Sequence, residues 1–470
     1  MQKSLFDRVT AVFSRVRPGE GLPVVILLVD LFLILTAYYL LKVVREPLIL
    51  LGGGAAVKSY AAAGQAVLLV GLVPLYGWVA SRVPRMKLVN GVTGLFAASF
   101  VVFWLCYQAG LAVGVPFFLW LGIFNMMVIA QFWSLSNELF SEAQGKRLFP
   151  IIAIGGTLGA IAGSFFAKML IGLIGIGGLM PLAAAILVAC IALTFIGTRA
   201  ARKIPRHEED KKHDAVNEKP LSKEGGFKLV LSVKYLRLIA IMIILYNLVN
   251  TTGEYILGSV VTEAAKTEAA GNPELAKQLI GEFYGNFFTW VNAVAAILQA
   301  FLVSRIVRFV GVRVALMILP AIALGGYGLI ATVPILAWIK FAKITENGTD
   351  YSLHNTVRQM LWLPTSPEAK YKAKAAVDSF FVRFGALLAA GVVWVGTSLA
   401  LSPRLFAVVN VGAVGVWAVL AFLVGREHKR VSEEAEIESD RPDPDSKVTT
   451  DDDKGDKGVA RGDRYGHART

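Results

Sequence analysis

The chain has 470 residues, 55% of them hydrophobic and only 17% charged, with a formal net charge of +13. A soluble chain of this size carries about 25% charged residues. The charge here crowds into short gaps, one linker and the last stretch, which excludes an ordinary soluble domain and reads as cytoplasmic charge beside a bilayer, not a nucleic-acid footprint.

The opening segment mixes Asp7 and Glu20 with basic residues and leads into a full-length apolar span without an A-x-A-like site. A retained cytoplasmic terminus is expected, not a cleaved signal. Apolar spans are predicted at about 23–41, 59–80, 88–108, 116–135, 148–171 and 178–197. Asp30 lies inside the first, and Lys42, Arg45 and Glu46 follow its far end. The fifth opens with Pro150, which a first helical turn tolerates. It carries Gly155, Gly156, Gly159 and Gly163, a small face that lets helices approach closely. Cys106 and Cys190 sit in apolar runs and read as buried small hydrophobes, not a disulfide.

A polar, mainly basic linker then spans 199–235. Six more spans follow, at about 236–261, 280–303, 314–332, 334–360, 375–399 and 405–424. The expected fold is an all-α membrane protein, with twelve transmembrane helices in two six-helix lobes, major-facilitator-like. The lobes are 1–198 and 236–425, joined by the cytoplasmic linker 199–235 and followed by a disordered cytoplasmic tail, 426–470. Basic residues favour the connections on one side, among them Arg82, Arg85, Lys87, Arg305, Arg308 and Arg313. That bias puts both termini in the cytoplasm. Ser81-Arg82-x-x-Arg85 and Ser304-Arg305-x-x-Arg308 occupy equivalent places, as a duplicated half would require.

A charge near the bilayer centre costs about 2.5–3.5 kcal/mol on insertion scales, so ionisable residues inside spans mark function. In the tenth span Lys343, Asn347, Asp350 and His354 are spaced to share one helix face, extended by Lys340 and Arg358. Lys42, Arg45, Lys168, Lys343 and Arg383 together make a cavity attractive to an anion. Asp30, Glu46, Glu254, Asp350 and Asp378 are available to pair with them. Asp350 lies about 10 Å along the helix from Lys343, so it is expected to pair with Lys370, Lys372, Lys374 or Arg383 at an inner gate. Glu138, Lys146, Arg147 and Arg358 complete the candidate gating and coupling set. The sequence has no phosphate-binding lysine loop, no metal-spaced His/Cys cluster and no nucleophile elbow, so neither an enzyme nor a cofactor is expected.

Three blocks carry a more specific likeness. They are Phe132-Trp133-Ser134-Leu135-Ser136-Asn137-Glu138 through Gly145-Lys146-Arg147-Leu148-Phe149-Pro150, then Leu41-Lys42-Val43-Val44-Arg45-Glu46-Pro47-Leu48, and Tyr351-Ser352-Leu353 through Asp378. In these the chain resembles the ATP/ADP translocases of plastids and obligate intracellular bacteria. The resemblance implies twelve spans and exchange of nucleotides, typically ATP against ADP with phosphate. It places the family's first-motif lysine on Arg45 and a loop base within Lys370–Lys374. The family's span-four acid falls on Leu121, and its span-seven acid falls near Asn250, with Glu254 one turn later. The expected substrate-binding set is therefore Lys42, Arg45, Lys343, Arg383, Asn250 and Glu254. A monomeric antiporter of a small anionic solute, in the bacterial inner membrane, is expected. Alternatives are a proton- or phosphate-coupled carrier of another organic anion, or a non-transporting receptor or scaffold.

Overall fold

Apolar runs placed in hydrocarbon must satisfy their backbone groups internally, and helices do so within one segment. In the computed structural model, which describes residues 16–17, 19–203, 226–366 and 368–439, the elements are helical throughout. Eight helical stretches among the described residues are long and apolar enough to cross a membrane.

Helix α1 spans Gly21–Ala80 and breaks once, at Gly54, whose φ of 79° suits glycine alone. Helices α2 (Arg85–Gln108) and α3 (Gly114–Leu139) follow. Helix α4 (Glu142–Ala201) starts at a capping box, in which Ser141 and Gln144 satisfy each other's backbone N–H groups. It breaks at Gly175, with φ 68°. After α5 (Gly226–Ser232) come α6 (Lys234–Glu268) and α7 (Pro273–Ile297), the latter capped by Asn272 with Pro273 at its first position. A π-helical turn, Leu298–Leu302, joins α7 to α8 (Val303–Thr332), which breaks at Gly311. Helix α9 (Leu336–Thr349) continues through a π-helical Asp350–His354 into α10 (Asn355–Met360). The π-helical segments Ala369–Ala373 and Val377–Phe381 flank α11 (Lys374–Ala376) and lead into α12 (Val382–Ser398). Helix α13 (Pro403–Ser439) ends the described chain.

Two boundaries differ from expectation. The first helix does not stop near 41 but runs to the Gly54 break, so Lys42, Arg45 and Glu46 lie inside it and not in a connection. Likewise α13 passes 426 and stays helical to Ser439, so the start of the expected disordered tail is ordered. Arg430 pairs there with Glu427 at 2.5 Å and Glu434 at 3.0 Å, one turn to either side. The linker core 204–225 and residues 440–470 lie outside the described residues.

The first leg of α1 packs against α4 through glycines. A Cβ added at Gly155 or Gly159 would meet the carbonyl of Leu28 or Phe32, and one at Gly163 would press on Thr36. Thr36 Oγ1 donates to the Phe32 carbonyl at 2.7 Å and also reaches the Gly159 carbonyl at 3.3 Å. Rings of Phe96, Phe100, Phe117 and Phe124 fill the space between α2 and α3. From beyond the linker, α7 meets α4 at glycines as well, Gly281 on Ile171 and Gly285 on Lys168. Gly159→Leu should therefore cost about 2 kcal/mol of overpacking. Gly91→Leu, whose added Cβ meets nothing within 4 Å, should cost far less. Thermal unfolding of the two variants in detergent compares them directly.

Candidate functional site

The helices bring charged side chains together around a buried pocket of about 210 Å³. From α1 come Lys42 and Arg45 and, beyond the Gly54 break, Lys58; from α6 come Asn250 and Glu254; from α9 comes Asn347. Phe118, Phe288 and Tyr351 add aromatic wall.

The charges form an alternating chain. The Arg45 guanidinium donates to Glu46, with Nε at 3.1 Å, and lies 4.6 Å from the centre of the Phe118 ring. Lys58 Nζ is 2.7 Å from Glu46 Oε2, an ion pair without hydrogen-bond alignment, and 3.6 Å from Glu254 Oε2. Glu254 Oε1 accepts from Asn347 Nδ2 at 3.2 Å and faces Lys343 Nζ at 3.7 Å. Lys343, 1% exposed, donates to Glu346 at 3.1 Å and to Asn250 Oδ1 at 3.3 Å. Tyr327 closes the chain by donating to Glu346 at 3.1 Å. Such pairs hold in a low dielectric only when each charge is met.

Lys42 stands apart. It is buried yet makes no ion pair among the described residues. Its ammonium lies over Phe288 at 4.2 Å and Tyr39 at 4.8 Å, with Tyr38 and Tyr351 each at 5.9 Å. Ring faces attract a cation but do not neutralise it. Among the described residues Lys42, Arg45, Lys58 and Lys343 face Glu46, Glu254 and Glu346 alone, which leaves one positive charge for an incoming anion.

Of the expected substrate-binding residues, Lys42, Arg45, Asn250 and Glu254 line this pocket, and Lys343 backs it through Asn250 and Glu254. Arg383 does not line it; its guanidinium meets Met126 Sδ of α3 at 3.9 Å. Among the described residues Asp350 does not pair with Lys370, Lys372, Lys374 or Arg383; it accepts from the Tyr246 hydroxyl of α6 at 2.6 Å. The His354 ring lies tilted beside Tyr246 and edge-on to Trp417.

The remaining candidates are spread out. Asp30 is buried and accepts from Thr194 at 2.7 Å, while its other oxygen has no hydrogen-bond partner. Arg147 clasps Glu20 at 3.0 Å, beside Lys146, and Glu138 meets Arg85 at 3.3 Å on the surface. Arg358 is half-buried, and Lys370, Lys372, Lys374 and Asp378 sit on or beside the π-helical turns before α12. Lys58 and Glu346 were not among the expected site residues. Glu346 follows Lys343 at pairing distance, a signal present in the sequence; Lys58 had none, since Glu46 meets it only because the chain turns back at Gly54, and Glu254 stands on α6.

The model of the TLC ATP/ADP transporter family matches residues 118–341 and 327–428. The chain belongs to the TLC ATP/ADP transporter family. This TLC-family chain is 22% identical to ADP,ATP carrier protein 1 of Chlamydia pneumoniae, over 63% of this chain and 64% of that one. ADP,ATP carrier protein 3 of Rickettsia prowazekii is 24% identical over 57% and 58%. These matches span less than two thirds of the relatives' own length. ADP,ATP carrier protein 2 of C. pneumoniae, at 22% identity, aligns over 90% of this chain and 92% of its own. Among solved structures, the nucleoside transporter NupG superposes with a TM-score of 0.58 at 13% identity, covering 89% of this chain and all of NupG. The peptide transporter POT in complex with sulfate reaches 0.59 at 14%, covering 92% and 99%. The TLC chain therefore shares their fold, that of all-α, multi-span membrane proteins distantly like the major facilitators.

In this TLC chain Lys58→Met should lower stability by about 3 kcal/mol, the low end for breaking a buried pair, because Arg45 and Lys343 still face the two carboxylates. Lys58→Arg should recover most of the loss, read as the shift in detergent melting temperature.

Proposed function

We propose that the protein is an antiporter that exchanges nucleotides, ATP/ADP-like phosphorylated anions, across the bacterial inner membrane. Twelve crossings in two six-helix lobes, 1–198 and 236–425, would rock about the pocket, with both termini cytoplasmic. The observation that carries this reading is Lys42, without an ion-pair partner among the described residues, in a pocket built by helices from both sides of the linker. Family membership supports the substrate class.

The charge chain suggests why transport would be exchange. The Lys58–Glu254 pair joins α1 to α6 and so links the two lobes. In an empty carrier, parting that pair gives up an attraction across the lobe boundary with nothing in its place, although Lys58 keeps Glu46 and Glu254 keeps Lys343. A phosphate group entering beside Lys42 replaces that attraction at Lys58 and shares the Arg45 guanidinium, which keeps its hold on Glu46, while Glu254 turns wholly to Lys343. The link then opens with every charge still met. At about 210 Å³ the pocket is below the usual 300–1,000 Å³ range for ligand sites, so the lobes part as the nucleotide seats. Leu121 and Asn250, standing where the resemblance places acids, leave the site more positive.

One observation favours a proton-coupled carrier of another organic anion instead: Asp30, buried among α1 and α4 with Thr194 and no cation among the described residues. Proteoliposomes separate the readings. Uptake of labelled ATP that requires internal ADP supports exchange, uptake that follows a pH gradient supports the proton-coupled carrier, and binding without flux supports a receptor.

Arg45→Ala should raise the KM for ATP about ten- to hundredfold, as loss of a charge-assisted hydrogen bond of about 1.5–3 kcal/mol requires. Arg45→Lys should recover part of it, since an ammonium cannot hold a phosphate bidentately. Arg383→Ala, outside the pocket, should leave the KM within about twofold, a shift of under half a kcal/mol. Initial rates of exchange across a concentration series give all three.

A further inference from the structure

Three turns meet at the Gly54 end of the bundle: the break itself, the connection 109–113 between α2 and α3, and 269–272 between α6 and α7. They enclose a second cavity of about 640 Å³, much larger than the central pocket. Its wall is mostly apolar, with Leu48, Leu111 and Val115 prominent, and its polar groups are few: Tyr107, Asn272, Lys266 and Lys277. That combination, in a concavity of this volume, is the usual make-up of a small-molecule site.

The cavity adjoins the charged layer along α1. Pro47 and Leu48 directly follow Arg45 and Glu46 on α1, so its floor lies within about one helical turn of them. Gly114 presses on the Leu48 carbonyl and holds α3 against that floor. Lys277 Nζ lies 5.1 Å from the centre of the Tyr107 ring and donates to Glu274 at 2.5 Å and to the Tyr107 hydroxyl at 3.4 Å. Glu274 is 72% exposed, so its hold is that of a weak surface pair, easily exchanged for a phosphate. Lys266 is exposed and makes no ion pair among the described residues.

We infer that this cavity is a second anion site, a vestibule where a nucleotide sets its phosphates on Lys266 and Lys277 and its base against Tyr107 before reaching the central pocket. The inference rests on the nucleotide reading and on the orientation proposed with it, which makes this the outer end. Two ammonium groups at the mouth of an apolar-walled concavity focus the field and raise the rate of anion capture. The vestibule thus serves one face of the membrane and not the other.

Sidedness is the test. In proteoliposomes of fixed orientation, Lys266→Ala/Lys277→Ala should raise the KM for ATP offered at the outer face about tenfold at low salt, the low end of electrostatic capture effects. The difference should shrink in high salt, while the inner-face KM and kcat stay unchanged. An unmoved outer KM, or an equal rise at both faces, overturns the vestibule. A parent protein that carries no nucleotide overturns the transport reading instead, and equilibrium binding of labelled ATP to the purified Arg45→Ala protein then decides the cavity. Residual binding that disappears with Lys266→Ala/Lys277→Ala sustains it, and no residual binding overturns it.

Discussion

Glu254 is shared between two lysines, and the rest of the site depends on that sharing. Its oxygens face Lys58 on one side and Lys343 on the other, at 3.6 and 3.7 Å, with Asn347 fixing the carboxylate between them. A carboxylate inside a membrane protein is held by partners or is not held as an anion at all. Here the partners come from helices far apart in the chain, so local charge balance and long-range architecture are the same constraint. The glycine contacts of α1 with α4 and of α7 with α4 matter for that reason, since they set the backbone distances over which short ion pairs can close.

Lys42 is handled in a different way from its neighbours. Four aromatic rings surround its ammonium, where Arg45, Lys58 and Lys343 each have a carboxylate. Rings lower the cost of burying the charge without cancelling it, and a site so built keeps an appetite for anions. A fourth carboxylate would make the same helices more self-sufficient and less able to recruit a ligand.

Most helices were legible in the sequence because hydropathy and length report burial in lipid directly. The end of the first helix was not. Lys42, Arg45 and Glu46 look like a loop to any reading that counts each charge as a cost, and only the pairing of Glu46 with Arg45 and Lys58 and the rings around Lys42 reverse that count. Lys58 was overlooked for the same reason. Asp350 was legible as a buried polar residue, but its partner was not, since Tyr246 lies over a hundred positions away and signals nothing by type. Arg383 shows the opposite failure: a base inside a span is a strong signal, yet the helix turns it toward Met126. The ordered start of the tail follows from pairs at one-turn spacing in a segment whose composition alone suggests disorder.

The turns at the Gly54 end carry a consequence for what the protein shows to its surroundings. The chain reverses there at single glycines, Gly54 and Gly175, or through the short connections 109–113 and 269–272. A protease needs several residues of free chain to seat a bond in its cleft, and most antibodies need a protruding loop. Among the described residues these turns offer neither, so what they present is a hole and not a handle, open to small solutes.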